Sequence, residues 1–140
     1  MNAPVPSDQT GRSRLERPSG PGEEEPPTSQ GRSYGIFQKA IQRRNVIAAV
    51  AAARELPQVS LLDALELTML IARKDPRRHP RAAARWLQRY LQEHPEATIE
   101  EVALVASCLA ALPGGSFQPA VQTLRAMAET ATSRRRALGA

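Results

Sequence analysis

The sequence holds one cysteine and two histidines, the side chains that most often act as nucleophile, base or transition-metal ligand near neutral pH. His79 and His94 stand at the two ends of a predicted helix, about 20 Å apart, and so cannot share a metal ion. Cys108 lies in an apolar segment with no histidine close in sequence, which is typical of a small buried side chain. We therefore predict no catalytic residue, no cofactor, no metal site and no enzymatic activity.

The densest charge lies in the segment 74–95, where six of the first sixteen residues are Arg or Lys. On a helix, Arg81, Arg85 and Arg89 fall opposite an apolar stripe that contains Trp86. These arginines are therefore expected to point away from the core, to solvent or to a partner. The candidate contacts to a partner or to phosphate groups are the arginines of this segment: Arg77, Arg78, Arg81, Arg85 and Arg89.

The formal net charge is +5, and nearly all of the cationic residues are arginine. With so much alanine, glycine and proline, that bias is typical of GC-rich coding sequence and weakens any argument from basicity alone. A solvated helix surface is therefore the first interpretation of the arginines. A surface that tracks phosphates and a site for an acidic protein partner are the alternatives.

Composition divides the chain into three parts. Residues 1–33 hold six of the twelve prolines and few large aliphatic side chains, so they cannot bury enough apolar surface to offset their ordering entropy. We predict a disordered tail at 1–33, a helical domain at 34–133 and a basic, frayed C-terminus at 134–140. The longest uncharged run is interrupted by Pro113, and a single cysteine excludes an intrachain disulfide. We therefore expect no membrane association and a cytoplasmic location.

The domain is predicted to be all-α, because its apolar residues recur with helical spacing and no stretch alternates as a strand does. About five helices are expected. Ser60 and Thr98 are each followed three residues later by an acid, as in a capping box. Asn45 is a further candidate N-cap, at which the first helical region could divide. The predicted helical regions are 34–55, from Ser60 to Lys74, from Pro80 to Glu93, from Thr98 to Pro113, and from Phe117 to Ser133.

A shift of 38 residues aligns the second and third predicted helices with the fourth and fifth. It places Pro57 on Pro95, Ser60 on Thr98, and Asp63 on Glu101. The alignment predicts two and a half antiparallel hairpins, arranged as a short α-solenoid in which each hairpin buries its faces on its neighbours.

The first of these hairpins resembles a HEAT repeat. It carries Asp75-Pro76 in the turn and Arg81 near the start of the second helix, followed by an alanine-rich run that leads to Trp86. The resemblance implies a stacked helix pair in which Asp75 and Arg81 hold the turn together. The later hairpin departs from it, with Pro113 and Pro119 at the matching positions.

HEAT-like proteins mostly bind other proteins and sometimes nucleic acid, so the resemblance leaves the ligand open. The first function expected is a non-enzymatic interaction module that binds a protein partner or a second copy of itself. The alternative is a nucleic-acid-binding accessory protein that uses the basic helix and the run Arg134-Arg135-Arg136.

Overall fold

The computed structural model of the chain describes residues 29–114 and 117–139. Within these ranges the chain is helical and contains no strand, as predicted. The six helices are α1 (Ser29–Gln42), α2 (Val46–Glu55), α3 (Leu61–Lys74), α4 (His79–Glu93), α5 (Ile99–Ala111) and α6 (Phe117–Gly139). No helix in these ranges is both long and apolar enough to cross a bilayer.

The helix count exceeds the expected five because the first helical region divides at Asn45. The Asn45 side chain accepts a hydrogen bond of 3.0 Å from the backbone N–H of Ala48 and thereby caps α2. Just before it, Arg44 has a φ of 58°, a left-handed conformation that interrupts the helical backbone between α1 and α2. The candidate break in the sequence is therefore a true helix boundary.

In both predicted capping boxes the N-cap side chain makes its hydrogen bond. The hydroxyl of Ser60 accepts the backbone N–H of Asp63 at 3.0 Å, and that of Thr98 accepts the backbone N–H of Glu101 at 3.1 Å. Helix α2 ends before Pro57, with Leu56 in an extended conformation, as expected for a residue that precedes proline.

The first and last described helices extend beyond the predicted domain bounds of 34 and 133, while disorder of the tail and fraying of the C-terminus stay predictions. Of the predicted tail at 1–33, residues 1–28 lie outside the described residues, and Ser29–Ser33 form the first turns of α1. Helix α6 continues to Gly139, through most of the segment 134–140 predicted to fray. The physical reason for the longer helix is that Arg134 and Arg135 find partners on α4 and on the turn after it.

One hydrophobic core lies between α3, α4, α5 and α6. Each of these helices packs against the next, and α6 also packs against α3 and α4. Helix α2 packs on the outer side of α3, where Ala49 and Leu70 join Ala40 of α1 in a smaller cluster. The main core is formed mostly by aliphatic residues: Leu61, Leu65, Met69, Val105, Leu109, Leu112, Val121 and Leu124.

Trp86 fixes α4 against α3. Its side chain is 2% exposed, and its indole N–H donates a hydrogen bond of 2.9 Å to the carbonyl of Leu61. The ring also stacks on that of Tyr90, with 5.6 Å between the ring centres. Because Trp86 and Tyr90 are both buried, the polar face of α4 is held toward the outside of the bundle.

We expect Trp86→Ala to lower the free energy of unfolding by about 3–5 kcal/mol, because it leaves a large cavity in the core. Trp86→Phe keeps most of the packing and loses the hydrogen bond to Leu61, so it should cost less. Urea unfolding measures both. Ile99→Ala is the control, since Ile99 is 85% exposed and its truncation should change stability by less than about 0.5 kcal/mol. A Trp86→Ala variant as stable as this control would show that Trp86 isn't a core residue.

Candidate anion-binding surface

Four of the five arginines singled out in the sequence lie together. Arg77, Arg78, Arg81 and Arg85 line one groove of about 520 Å³. Arg89 does not line it: its Nε donates a hydrogen bond of 2.8 Å to Oε2 of Glu93, one turn along α4. The predicted candidate set therefore divides into a group of four and a residue that is already paired.

The groove lies between α2 and α4, and α3 supplies part of its floor. Helices α2 and α4 both pack on α3 but not on each other. Val50, Ile71 and Ala82, one from each helix, give it an aliphatic lining. Arg54, in the last turn of α2, faces the same groove, so cationic side chains approach it from both walls.

A second groove of about 510 Å³ adjoins the first. It is lined by the turn between α1 and α2, which carries Arg43 and Arg44, and by Lys74 and Asp75 at the end of α3. Arg78 lines both grooves. We call the cationic residues of the two grooves the basic surface: Arg43, Arg44, Arg54, Lys74, Arg77, Arg78, Arg81 and Arg85.

The basic surface contains one ion pair. Nε of Arg78 lies 3.2 Å from Oδ2 of Asp75, and Asp75 is the one acidic residue that lines either groove. The other seven cationic residues form no ion pair within the described part of the chain. This includes Arg81, so the contact between Asp75 and Arg81 that the HEAT resemblance implies is replaced by one between Asp75 and Arg78, which lies three residues after it.

Elsewhere on the described residues, Arg89, Arg125 and Arg135 form ion pairs with acids. Arg125 lies 2.7 Å from Glu66, and Arg135 lies 3.6 Å from Glu93. Outside the basic surface the described residues comprise eight cationic and eight acidic side chains, whereas the surface itself has eight cationic residues and Asp75. The excess positive charge of the described chain is therefore confined to the basic surface.

Sequence reasoning missed half of the basic surface. Arg43, Arg44, Arg54 and Lys74 lie on other helices or turns, up to about 40 residues before the predicted helix. In an antiparallel hairpin of α2 and α3, the start of α2 lies beside the end of α3. Such a hairpin was the one signal in the sequence that could have indicated that Arg44 and Lys74 lie close together.

The C-terminal run expected to assist nucleic-acid binding lies elsewhere. Nη1 of Arg134 is 3.0 Å from Nε2 of His94, and Arg135 approaches Glu93. Neither residue lines the two basic grooves. The run therefore contributes to the contacts of α6 with α4, and the candidate surface does not include it.

Both histidines are buried at helix ends, and each contacts a different helix from its own. Nε2 of His79 is 2.8 Å from the carbonyl oxygen of Leu109 near the end of α5. Because a carbonyl can only accept, this nitrogen carries the proton. Cys108 is partly buried in α5. In the described part of the chain, no group of three His, Cys, Asp or Glu side chains is arranged to hold a metal ion.

A polar network connects the turn after α4 with α5 and α6. Glu101 is at its centre: Oε2 accepts the hydroxyl of Tyr90 at 2.9 Å and lies 2.8 Å from Nε2 of His94. The hydrogen bond from Tyr90 lowers the pKa of Glu101; burial opposes this effect, and the contact with His94 reinforces it. Burial, together with the neighbouring Glu101 carboxylate, raises the pKa of the Tyr90 hydroxyl, so Tyr90 remains a donor across the physiological range.

No protein-family model matches the chain, and neither the curated proteins nor the solved structures include one with significant similarity to it. The geometry and charge of the described residues therefore carry the functional argument.

The lowered pKa of Glu101 predicts a dependence of stability on pH. The carboxylate is favoured in the folded state, so its contribution is complete above the ordinary pKa of 4.5 and is lost as the pH falls below that value. Urea unfolding of the parent should therefore show a loss of stability on acidification. Glu101→Gln should be less stable at pH 7 and should lose less on acidification. Parallel curves for parent and variant would show that Glu101 doesn't contribute to the acid sensitivity.

Because arginines of the basic surface have no ion-pair partner, removing one of these charges is not expected to lower the stability of the fold. At low ionic strength, Arg81→Gln should leave stability unchanged or raise it by about 0.2–0.5 kcal/mol, because it relieves repulsion among like charges and glutamine suits a helix. Arg125→Gln is the matched control and should lower stability slightly, since it removes the contact with Glu66. Urea unfolding compares the two. A clear loss of stability in Arg81→Gln would instead support the turn-holding role that the HEAT resemblance implies.

Proposed function

We propose that this chain is a non-enzymatic interaction module whose basic surface binds the phosphate backbone of a nucleic acid. The observation that carries the proposal is the segregation of charge. Eight cationic side chains line two adjoining grooves with one acid among them, while the remaining described residues balance to neutrality. A general arginine bias would distribute the net positive charge over the whole surface.

The side chains of the basic surface suit phosphate oxygens. A guanidinium group has only donors, remains charged at all physiological pH values and can contact two oxygens of a phosphate at once. Seven of the eight cations have no acidic partner among the described residues, so a phosphate would not have to displace one. The lining otherwise consists mainly of aliphatic side chains, which provide few groups that could read base edges. Binding is therefore expected to be independent of sequence.

The structure changes the order of the two functions expected from the sequence. Composition alone favoured a protein partner or a second copy over nucleic acid, because an arginine bias explained the basic helix. The confinement of excess charge to one surface favours the nucleic acid. An acidic protein would be attracted to the same surface, and the experiment below distinguishes it. Association with a protein partner and the cytoplasmic location stay predictions.

We also propose that the two hairpins α3–α4 and α5–α6 are related repeats. The capping boxes at Ser60 and Thr98 stand at the predicted spacing and have the same hydrogen bonds. In an open solenoid α3 would lie beside α5, but α3 packs against α6 instead. The proposed arrangement is therefore a duplicated hairpin whose halves close around a shared core.

Nucleic-acid binding should follow the charge of the basic surface. We expect the full chain to bind a generic duplex with a dissociation constant of about 1–100 µM at physiological salt, as is typical of sequence-independent binding. The triple variant Arg77→Gln, Arg81→Gln, Arg85→Gln should bind much more weakly. Its slope of log affinity against log salt should be smaller by about 0.9 for each contact removed. Fluorescence anisotropy across a salt series measures both quantities.

The matched control removes the same charge outside the basic surface, by Arg125→Gln, Arg135→Gln and Arg136→Gln. It should retain nearly all of the affinity and the slope of the parent. If both triple variants weaken binding equally, net charge rather than the surface is responsible. If the parent binds no nucleic acid even at low salt but binds an acidic polypeptide such as poly-glutamate, the proposal is wrong and an acidic protein is the better ligand.

A further inference from the structure

The two basic grooves meet at Arg78, whose side chain lines both. On one side of it lie Arg43, Arg44 and Lys74, and on the other Arg54 with the arginines of α4. The grooves are therefore neighbouring parts of one cationic track that follows α2 from its first turn to its last. Helix α2 has ten residues, so the track is about 15 Å long.

The length of the track matches a short stretch of double helix. Duplex DNA carries one negative charge for about every 1.7 Å of its axis, counting both strands. A track of about 15 Å therefore faces roughly nine phosphate charges, of which those on the near side can be contacted. Eight cationic side chains are enough to meet every phosphate within reach.

The lining of the track favours a duplex over a single strand. Proteins that bind single strands without sequence preference combine a cationic groove with aromatic side chains on which the bases stack. No aromatic side chain of the described residues lines either groove, whereas Trp86 and Tyr90 are buried on the opposite side of α4. Without stacking, a flexible strand would lose conformational freedom on binding and gain only phosphate contacts.

A double helix avoids that cost. Its backbone is stiff over about 150 base pairs, so its phosphates are already held at regular intervals before binding. Its bases are stacked and paired inside the duplex and need no platform on the protein. Binding of a pre-organised ligand costs less ordering entropy than binding of a flexible one.

We propose that the two grooves together hold one backbone of a double-stranded nucleic acid, without reading its sequence. This inference rests on the function proposed above and adds to it the class of nucleic acid and the joint use of both grooves. DNA and RNA duplexes share the phosphate chemistry that the track recognises, and the experiment separates them.

The test measures binding of the full chain to four fluorescent probes by anisotropy. The probes are a 20-base-pair DNA duplex, a duplex of scrambled sequence, an RNA duplex of the first sequence, and one separated DNA strand. Both DNA duplexes should bind with equal affinity within about twofold, and at least roughly fivefold more tightly than the single strand. A preference for one of the two duplexes would show whether the surface binds DNA or RNA.

Two double variants test the joint use of the grooves. Arg43→Gln with Lys74→Gln changes one groove, and Arg81→Gln with Arg85→Gln changes the other. Each pair should weaken duplex binding and reduce the salt slope by about 1.8. The control pair, Arg135→Gln with Arg136→Gln, should leave both unchanged. Among these side chains only Arg135, which approaches Glu93, forms an ion pair within the described residues. Circular dichroism checks that each variant folds.

The outcomes separate this inference from the proposed function. If no probe binds at low salt, the proposed function itself fails. If the single strand binds as tightly as the duplex, the proposed function stands and the preference for a duplex is overturned. If only the groove between α2 and α4 affects binding, the continuous track is overturned. If the scrambled duplex binds much more weakly, the surface reads sequence and the inference is wrong in that respect.

Discussion

The packing of Trp86 against α3 determines how the rest of this domain is presented. The rotation of an amphipathic helix about its own axis is fixed by the side chains that it buries. Trp86 fixes the rotation of α4 in two ways. Its ring is enclosed by the core, and its indole N–H donates a hydrogen bond to the carbonyl of Leu61. Once that rotation is set, Arg81 and Arg85 must face the groove beside α2. The basic surface is thus a consequence of how the core is packed.

The charge distribution of the basic surface is unfavourable for stability. Clustered cations repel one another, whereas Arg89 and Arg125, outside the basic surface, each lie beside an acid. The repulsion is tolerable because arginine side chains are long and solvated, and because a domain of about a hundred residues can support a small cost. A surface that keeps such repulsion is better suited to an anionic ligand than to folding alone.

Residues of one type take different roles at the two ends of α4. Arg81 and Arg85 remain unpaired beside α2, whereas Arg89, one turn further on, is held by Glu93 in the region where α6 approaches. In the same region the network around Glu101 ties α5 to Tyr90 and His94. One end of α4 therefore helps to hold the bundle together, while the other end is left available to a ligand. Whether an arginine of α4 is paired or unpaired does not follow from its being an arginine.

The sequence by itself determined the local features of this protein. Helix boundaries at Asn45, Pro57, Ser60 and Thr98 could be predicted because capping and the steric effect of proline act within a few residues. The burial of Trp86 followed from helical periodicity. Only the tertiary structure decided that Arg54, Lys74 and the turn at Arg44 join the arginines of α4, that Arg89 and the C-terminal run do not, and that α6 returns to α3. Electrostatic and packing partners are chosen by distance in space, and residues far apart along the chain come together only when the helices pack.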